Sequence, residues 1–331
     1  MPRDVVVEIP IPRGEMLPSE ISRELKTLNI AELLTREFPP RSHVVVPWLP
    51  TQGLGMVYAP RGLGKTYFAL CVAYGIACGG QFLTWQCPTP RKVLYIDGEM
   101  PGPAMQERLI AIVKAAPHEP PSPDYFTLLT PDLQEFGIPD LGDPAGQAAL
   151  APLTDAADFI VLDNLSTLCR TGGENKADDW LVMQEWLLRL RSKGKSVLLI
   201  HHAGKGGQQR GTSRREDVLD TVISLRHPSD YEPEQGARFE IHFEKARGCM
   251  GDDVQALEVQ LFTGTNGLQS WNWQTVKASR YERIIELNNE GLSQRQIADE
   301  IGCGQATISR ALHKAKREGR LNDSTGKRGG E

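Results

Sequence analysis

The segment APRGLGKT, Ala59 to Thr66, constrains this 331-residue chain more than any other part of it. It follows the pattern G-x-x-x-x-G-K-[ST] except at its first position, where Ala59 stands in place of glycine. The physics tolerates that change, because an alanine opens the turn as long as its φ is negative. Gly62 and Gly64 let backbone N–H groups face phosphate oxygens. Lys65 reaches the β and γ oxygens, and the Thr66 hydroxyl can ligate Mg2+. The expected cradle is Ala59, Pro60, Arg61, Gly62, Leu63, Gly64, Lys65, Thr66 and the next residue, Tyr67. A short apolar strand precedes the loop and a long apolar helix follows, so the helix N-terminus adds its partial positive charge.

Around that loop, strand and helix patterns alternate from Gly55 to about Leu225. Strands are expected at Met56–Ala59, Val93–Asp97, Phe126–Leu129, Phe159–Asp163 and Val197–His201. Helices are expected at Lys65–Ala77, Pro103–Ala115, Asp143–Leu153 and Asp178–Ser192. Such alternation predicts an α/β fold with a mostly parallel sheet and helices on both faces. Two further strands, Arg238–Ala246 and Val254–Phe262, and a last stretch, Trp271–Thr275, close the core. The turn formers of APHEPPSPD and of 172–176 read as exposed loops.

A phosphate loop also needs an acid on a nearby strand to organise the metal. FIVLDN supplies Asp163 at the carboxyl end of an apolar strand, although an Asp there also serves as an ordinary turn cap. VLYIDGEM places Glu99 just past another buried strand, with Asp97 close by. Spacing alone leaves a water-polarising base and a solvated loop acid equally open for Glu99. For the nucleobase, Trp48 and Tyr58 are the aromatic candidates, each with a core role as the alternative.

The ordered set APRGLGKT, VLYIDGEM, FIVLDN, VLLIHH and EKARG, spanning roughly residues 44–265, resembles the RecA-like ATPases, in particular the hexameric helicase group that includes plasmid RepA helicases and DnaB. The resemblance implies ATP and Mg2+ as cofactors, with Lys65 and Thr66 in the phosphate loop, Asp163 on the metal and Glu99 as catalytic acid–base. His201 or His202 would sense the γ-phosphate. Lys245 and Arg247 would reach the γ-phosphate of a neighbouring subunit, with Arg210, Arg214 and Arg215 as rivals for that duty. It also implies a homo-oligomer, a hexameric ring, in which the loop AGKGGQQRGTSRRED, with Lys205 and Arg210, contacts single-stranded DNA. The chain departs from the group at Ala59, in showing no primase-binding domain of the DnaB kind, and in lacking the zinc-ribbon cysteines of RadA-type proteins, which leaves the RepA-like branch nearest.

From Gln294 to Leu312 the sequence QRQIADEIGCGQATISRAL fits a helix-turn-helix register: Ile297, Ile301 and Ile308 inward, Ala298 at the crossing, Gly302 at the turn. Gln305, Thr307, Ser309 and Arg310 would then face a DNA groove and Lys314 a phosphate. A solvated protein-interaction module is the competing reading of the same helices. Charge bears on this choice. The whole chain is acidic at −5, yet from Lys277 onward 11 Lys and Arg face 8 Asp and Glu, a local +3. The six cysteines lie apart, with no zinc spacing. The N-terminus breaks before a signal core could form, and no apolar run is long enough for a membrane span, so a cytoplasmic protein without a membrane partner is expected.

The expected organisation is a leader over 1–44 that packs on the core, a RecA-like ATPase domain over 45–275, a helix-turn-helix over 278–320 and a disordered tail over 321–331. Three functions compete: a DNA-dependent, ring-forming helicase or translocase of a plasmid, phage or mobile element; an ATP-switched initiator or regulator that does not unwind; and a recombination filament.

Overall fold

The computed structural model describes residues 26–38, 42–171, 177–204 and 216–321. Lys205, Arg210, Arg214 and Arg215, most of the loop after His202, the loop over 172–176, most of the leader and all but the first residue of the tail lie outside them. The chain divides into two units, Met1–Pro40 and Arg41–Glu331. The described part of the first holds one short helix, α1 (Ile30–Thr35), started by a reciprocal capping box between Asn29 and Glu32. Ile30, Leu33 and Leu34 on it are exposed.

The second unit opens with a small antiparallel pair, β1 (His43–Val45) and β2 (Leu49–Pro50), followed by β3 (Leu54–Ala59) and the helix α2 (Lys65–Cys78). The two-residue strands β4 (Gln81–Phe82) and β5 (Trp85–Gln86) pair with each other. Then come β6 (Val93–Asp97), α3 (Gly102–Ala115) and β7 (Phe126–Leu129). The expected helix over 143–153 is two short ones, α4 (Pro144–Ala149) and α5 (Ala151–Ala156). Pro152 sits in the first turn of the second, where its missing N–H breaks no bond. After them run β8 (Phe159–Asp163), α6 (Leu165–Leu168), α7 (Ala177–Ser192), β9 (Ser196–His202), β10 (Thr221–Arg226), β11 (Arg238–Ala246), β12 (Leu257–Thr263) and β13 (Gln269–Thr275). Where the sequence suggests a strand from Val254, residues Gly251–Val254 form a helical turn and the strand starts three residues later.

The main sheet has nine strands in the order β13-β12-β11-β10-β3-β9-β8-β6-β7. Strands from β10 to β7 in that order are parallel, and β11, β12 and β13 extend the sheet antiparallel. Alternation sorts the parallel strands' side chains to two faces. Val57, Tyr95, Val161 and Ile200 pack with Phe68, Leu70 and Ile76 of α2 and Met105 of α3. Met56, Leu94, Ile160 and Leu199 pack on the other face with Trp186, Leu187 and Leu190 of α7. Each fully buried side chain of this size contributes about 1.5–3 kcal/mol. The helix α2 is apolar on nearly every side because it lies beneath a second cover, in which Phe82 and Trp85 meet Phe68 and each other edge-on and Trp271 meets Phe82.

The chain then passes directly from β13 into α8 (Val276–Asn289), whose N-cap is the last strand residue, Thr275, and whose first residue, Val276, comes five residues before the helix expected at Tyr281. Ser279 on α8 donates to Glu258 of β12, and Glu258 takes a second bond from the buried Arg238 of β11. No linker separates the two parts. α9 (Gln294–Ile301) and α10 (Gln305–Arg317) complete a three-helix unit around Ile284, Leu287, Ile297, Ala298, Ile308 and Leu312. Ser293 and Gln296 form a capping box at the start of α9, and Gly302 ends it with φ of 69°. Ile301, expected inward, is half-buried at the edge of this core. Among the described residues no helix is long and apolar enough to cross a membrane.

Candidate nucleotide-binding site

Parallel register brings the expected site residues to one edge of the sheet. Ala59 is level with His202, and Asp97 with Asp163. All four therefore sit at the carboxyl ends of their strands, where the strand-to-helix turns open towards solvent. Ala59 is buried as the last residue of β3 and is not among the positive-φ residues, so no glycine is required there. Gly64 does need to be glycine, since its φ of 108° is strained for any side chain.

The resulting cleft, about 450 Å3, is lined by Arg61, Gly62, Gly64, Lys65 and Thr66 of the loop, by Asp97, Glu99, Asp163, Asn164 and His202, and by Ala104 and Arg108 of α3. Lys65 is 6 % exposed and donates to the carbonyls of Ala59 (3.1 Å) and Pro60 (2.7 Å). Burial lowers its pKa to about 8, against the pull of Asp163 and Glu99. Asp163, 3 % exposed, accepts from the Tyr95 hydroxyl at 2.7 Å and lies against Thr66; burial raises its pKa even so. Asp97 accepts from the Met100 amide at 2.9 Å, and burial pushes it up to about 7.

Glu99 leaves the strand through Gly98, whose amide donates to the Asp163 carbonyl at 2.7 Å. A Cβ on Gly98 would stand 2.5 Å from the Thr167 hydroxyl, so only glycine allows β6 and α6 to approach this closely. The Glu99 carboxylate then accepts from the Asn164 amide and lies 3.8 Å from His202 Nε2.

Several expected residues lie elsewhere. Tyr67 does not line the cleft: its ring packs against Trp271 and its hydroxyl donates to Gln269, because its side chain leaves α2 away from the loop. Leu63 is a core residue, 2 % exposed. His201 and His202 point to opposite faces of β9, as neighbours on a strand must; His202 lines the cleft and His201 does not. Trp48 and Tyr58 are buried at 1 % and 4 %, so neither is open to stack on a base.

Lys245 and Arg247 lie at the other end of the sheet. Lys245 is level with Val222, which pairs with Met56, and the Arg247 amide bonds Asp220, which in turn bonds Leu54. Leu54 begins β3, so Arg247 is roughly 15 Å along the strand from the loop. Within one chain both cations are held by the carbonyls of Glu216 and Asp217.

Residues that the sequence reading overlooked are Tyr95, Asn164 and Arg108. Asn164 follows Asp163 directly, and Arg108 stands one turn after Ala104 on α3, so both had a positional signal once the cleft was known. The Tyr95 contact pairs side chains 68 residues apart and had none.

On the C-terminal unit, Gln305, Thr307 and Arg310 of α10 are exposed and Ser309 is half-buried. Lys314 is drawn towards its own unit, 4.5 Å from the Tyr281 ring and 3.7 Å from Glu318.

The phosphate loop after β3, with an acid on β8 one strand removed and another on β6, defines a RecA-like P-loop ATPase. The profile of the AAA domain family matches residues 18–208, more than half of the chain, and the chain belongs to that family. Among solved structures it is similar to a KaiC-like protein from the hyperthermophilic archaeon Pyrococcus horikoshii, at 14 % identity over 69 % of this chain and 94 % of that one, with a TM-score of 0.47.

Membership implies ATP binding, usually with Mg2+. The residues present fit such an ion: a hydroxyl and a buried carboxylate lie together, and that carboxylate's raised pKa is the penalty a divalent cation removes. Thr66 and Asp163 would hold such an ion with one or two protein oxygens, the phosphates supplying the rest.

Proposed function

We propose that this chain is a DNA-dependent ATPase that works as a ring, a hexamer of the RepA-like helicase or translocase type in the replication of a plasmid, phage or mobile element. In this reading Lys65 and the loop amides hold the phosphates of ATP, Thr66 and Asp163 hold Mg2+, Glu99 takes the proton of the attacking water, and His202 senses the γ-phosphate. The observation that carries it is the separation of Lys245 and Arg247 from their own cleft. An arginine about 15 Å from the loop along the strand cannot neutralise charge on its own γ-phosphate, so in this reading it leaves its Asp217 contact to serve the cleft of a neighbour. Single-stranded DNA would run along the loop that contains Lys205 and Arg210. The helices α9 and α10 would dock on duplex DNA through Gln305, Thr307, Ser309 and Arg310, with affinity that falls with salt.

The experiment is steady-state ATP hydrolysis with and without single-stranded and duplex DNA, for wild type, Lys65→Ala and Arg247→Ala. Stimulation by single strands, lost in both variants and partly restored when the two inactive proteins are mixed, is the expected outcome. Two inactive variants that stay inactive together would defeat the shared site.

A second reading is favoured by the direct passage of β13 into α8 and the Glu258–Ser279 contact, which tie the three-helix unit to the ATPase core. In it the chain is an ATP-switched initiator or regulator, with slow hydrolysis indifferent to DNA and tight binding to one duplex sequence. A recombination filament shares the same site chemistry, and open helices instead of rings in electron micrographs would point to it.

A further inference from the structure

Asn164 occupies the N-cap of α6, the position where an asparagine side chain usually accepts from an amide of the first helical turn. It makes no such bond. Its backbone is held regardless, since its carbonyl accepts from the amides of Thr167 and Leu168 and from the Thr167 hydroxyl. The side chain is thus released from structural duty and turns into the cleft at 3 % exposure.

There its Nδ2 donates to Glu99 Oε2. That contact fixes the orientation of the amide, because a carboxylate only accepts. The other end of the group, Oδ1, is buried and has no hydrogen-bond partner among the described residues. A buried amide oxygen without a donor costs free energy. Oδ1 thus faces protein, and Nδ2 is the end of the amide that meets the carboxylate assigned to take a proton, in a cleft whose other walls are the phosphate loop and Asp163.

We infer that Asn164 is a positioning residue for hydrolysis: through Nδ2 it holds the Glu99 carboxylate in the orientation that faces the attacking water. As its oxygen forms the bond to the γ-phosphorus, the proton facing Glu99 moves to that carboxylate and the bond from phosphorus to the leaving ADP oxygen breaks, giving ADP and phosphate. Asn164 takes no proton itself. This rests on the ATPase reading above, with Glu99 as the base.

The test compares wild type, Lys65→Ala, Glu99→Gln, Asn164→Ala, Asn164→Ser and the double variant Glu99→Gln/Asn164→Ala as full chains, measuring kcat, KM and the affinity for ATP with Mg2+ alongside thermal unfolding. Asn164→Ala is expected to lower kcat roughly 10- to 100-fold, the range a charge-assisted hydrogen bond supplies, with ATP affinity changed less than about twofold. Asn164→Ser, which keeps a short donor and acceptor, recovers part of kcat. The double variant is no slower than Glu99→Gln, because Asn164 acts through Glu99.

Hydrolysis in Asn164→Ala within twofold of wild type, losses that multiply in the double variant, or a fall in ATP affinity matching the fall in kcat would each overturn the assignment. Should Asn164→Ala fail to fold, Asn164→Ser and the double-variant comparison on a folded Glu99→Gln background carry the same decision. A wild type whose hydrolysis does not depend on Lys65 overturns the ATPase reading itself, and that outcome is separate from a Lys65-dependent enzyme that ignores Asn164.

Discussion

Replacing Tyr95 by phenylalanine removes one oxygen from the middle of the sheet and tests how the metal-site acid is held. The Tyr95 hydroxyl is fully buried and donates to Asp163 Oδ2 at 2.7 Å, while its ring lies stacked against Phe126 with centroids 6.4 Å apart. Phenylalanine keeps the ring, so the change isolates the hydrogen bond. A bond to a charged acceptor contributes about 1.5–3 kcal/mol. With the Thr66 hydroxyl still at Asp163, about 2 kcal/mol is the reasonable loss. For a domain of this size that lowers the thermal midpoint by about 4–8 °C.

The function follows in the same direction. Loss of the donor raises the Asp163 pKa further, so protons compete better with Mg2+, and the Mg2+ concentration for half-maximal hydrolysis rises by roughly three- to tenfold. Thermal unfolding and Mg2+ titration of ATP hydrolysis read the two effects. An unchanged midpoint together with an unchanged Mg2+ requirement would refute the reasoning, and a lower midpoint alone would confine the bond to a structural role.

Two other predictions concern the core and the C-terminal unit. Ile308→Ala should cost about 3 kcal/mol by emptying the centre of the three-helix cluster; hydrogen exchange should then show α9 and α10 losing protection while ATP still binds, and loss of ATP binding would show that the unit is not separately cooperative. Because burial holds Lys65 at about 8 in the fold against 10.5 ordinarily, ATP affinity should fall as pH rises through about 8. Between those values the unfolded chain binds more protons, so the fold itself gains stability as pH rises; calorimetric titration and urea unfolding across pH 7–10 measure the opposed trends, and parallel trends would contradict the assignment.

The sequence by itself determined the parts that depend on local chemistry. The spacing of Gly62, Gly64, Lys65 and Thr66 defines a phosphate cradle wherever a strand precedes it and a helix follows. Apolar runs ending in Asp97 and Asp163 have the bounds of β6 and β8, because a strand buried on both faces is written as a continuous apolar stretch. Gly302 and the Ile297 and Ile308 pattern likewise mark α9 and α10.

What only the tertiary structure decided is which side chains meet. Strand order places β9 between the loop strand and the metal-site strand, and the alternation of β9 selects His202 over His201 for the cleft. Antiparallel pairing of β11 carries Lys245 and Arg247 to the far end of the sheet. The closing of α2 by Trp271 and Gln269 takes Tyr67 away from the loop. Each of these outcomes depends on contacts between segments distant in the chain. Local propensity is blind to such contacts, since the free energy that fixes them comes from packing and hydrogen bonding across the sheet.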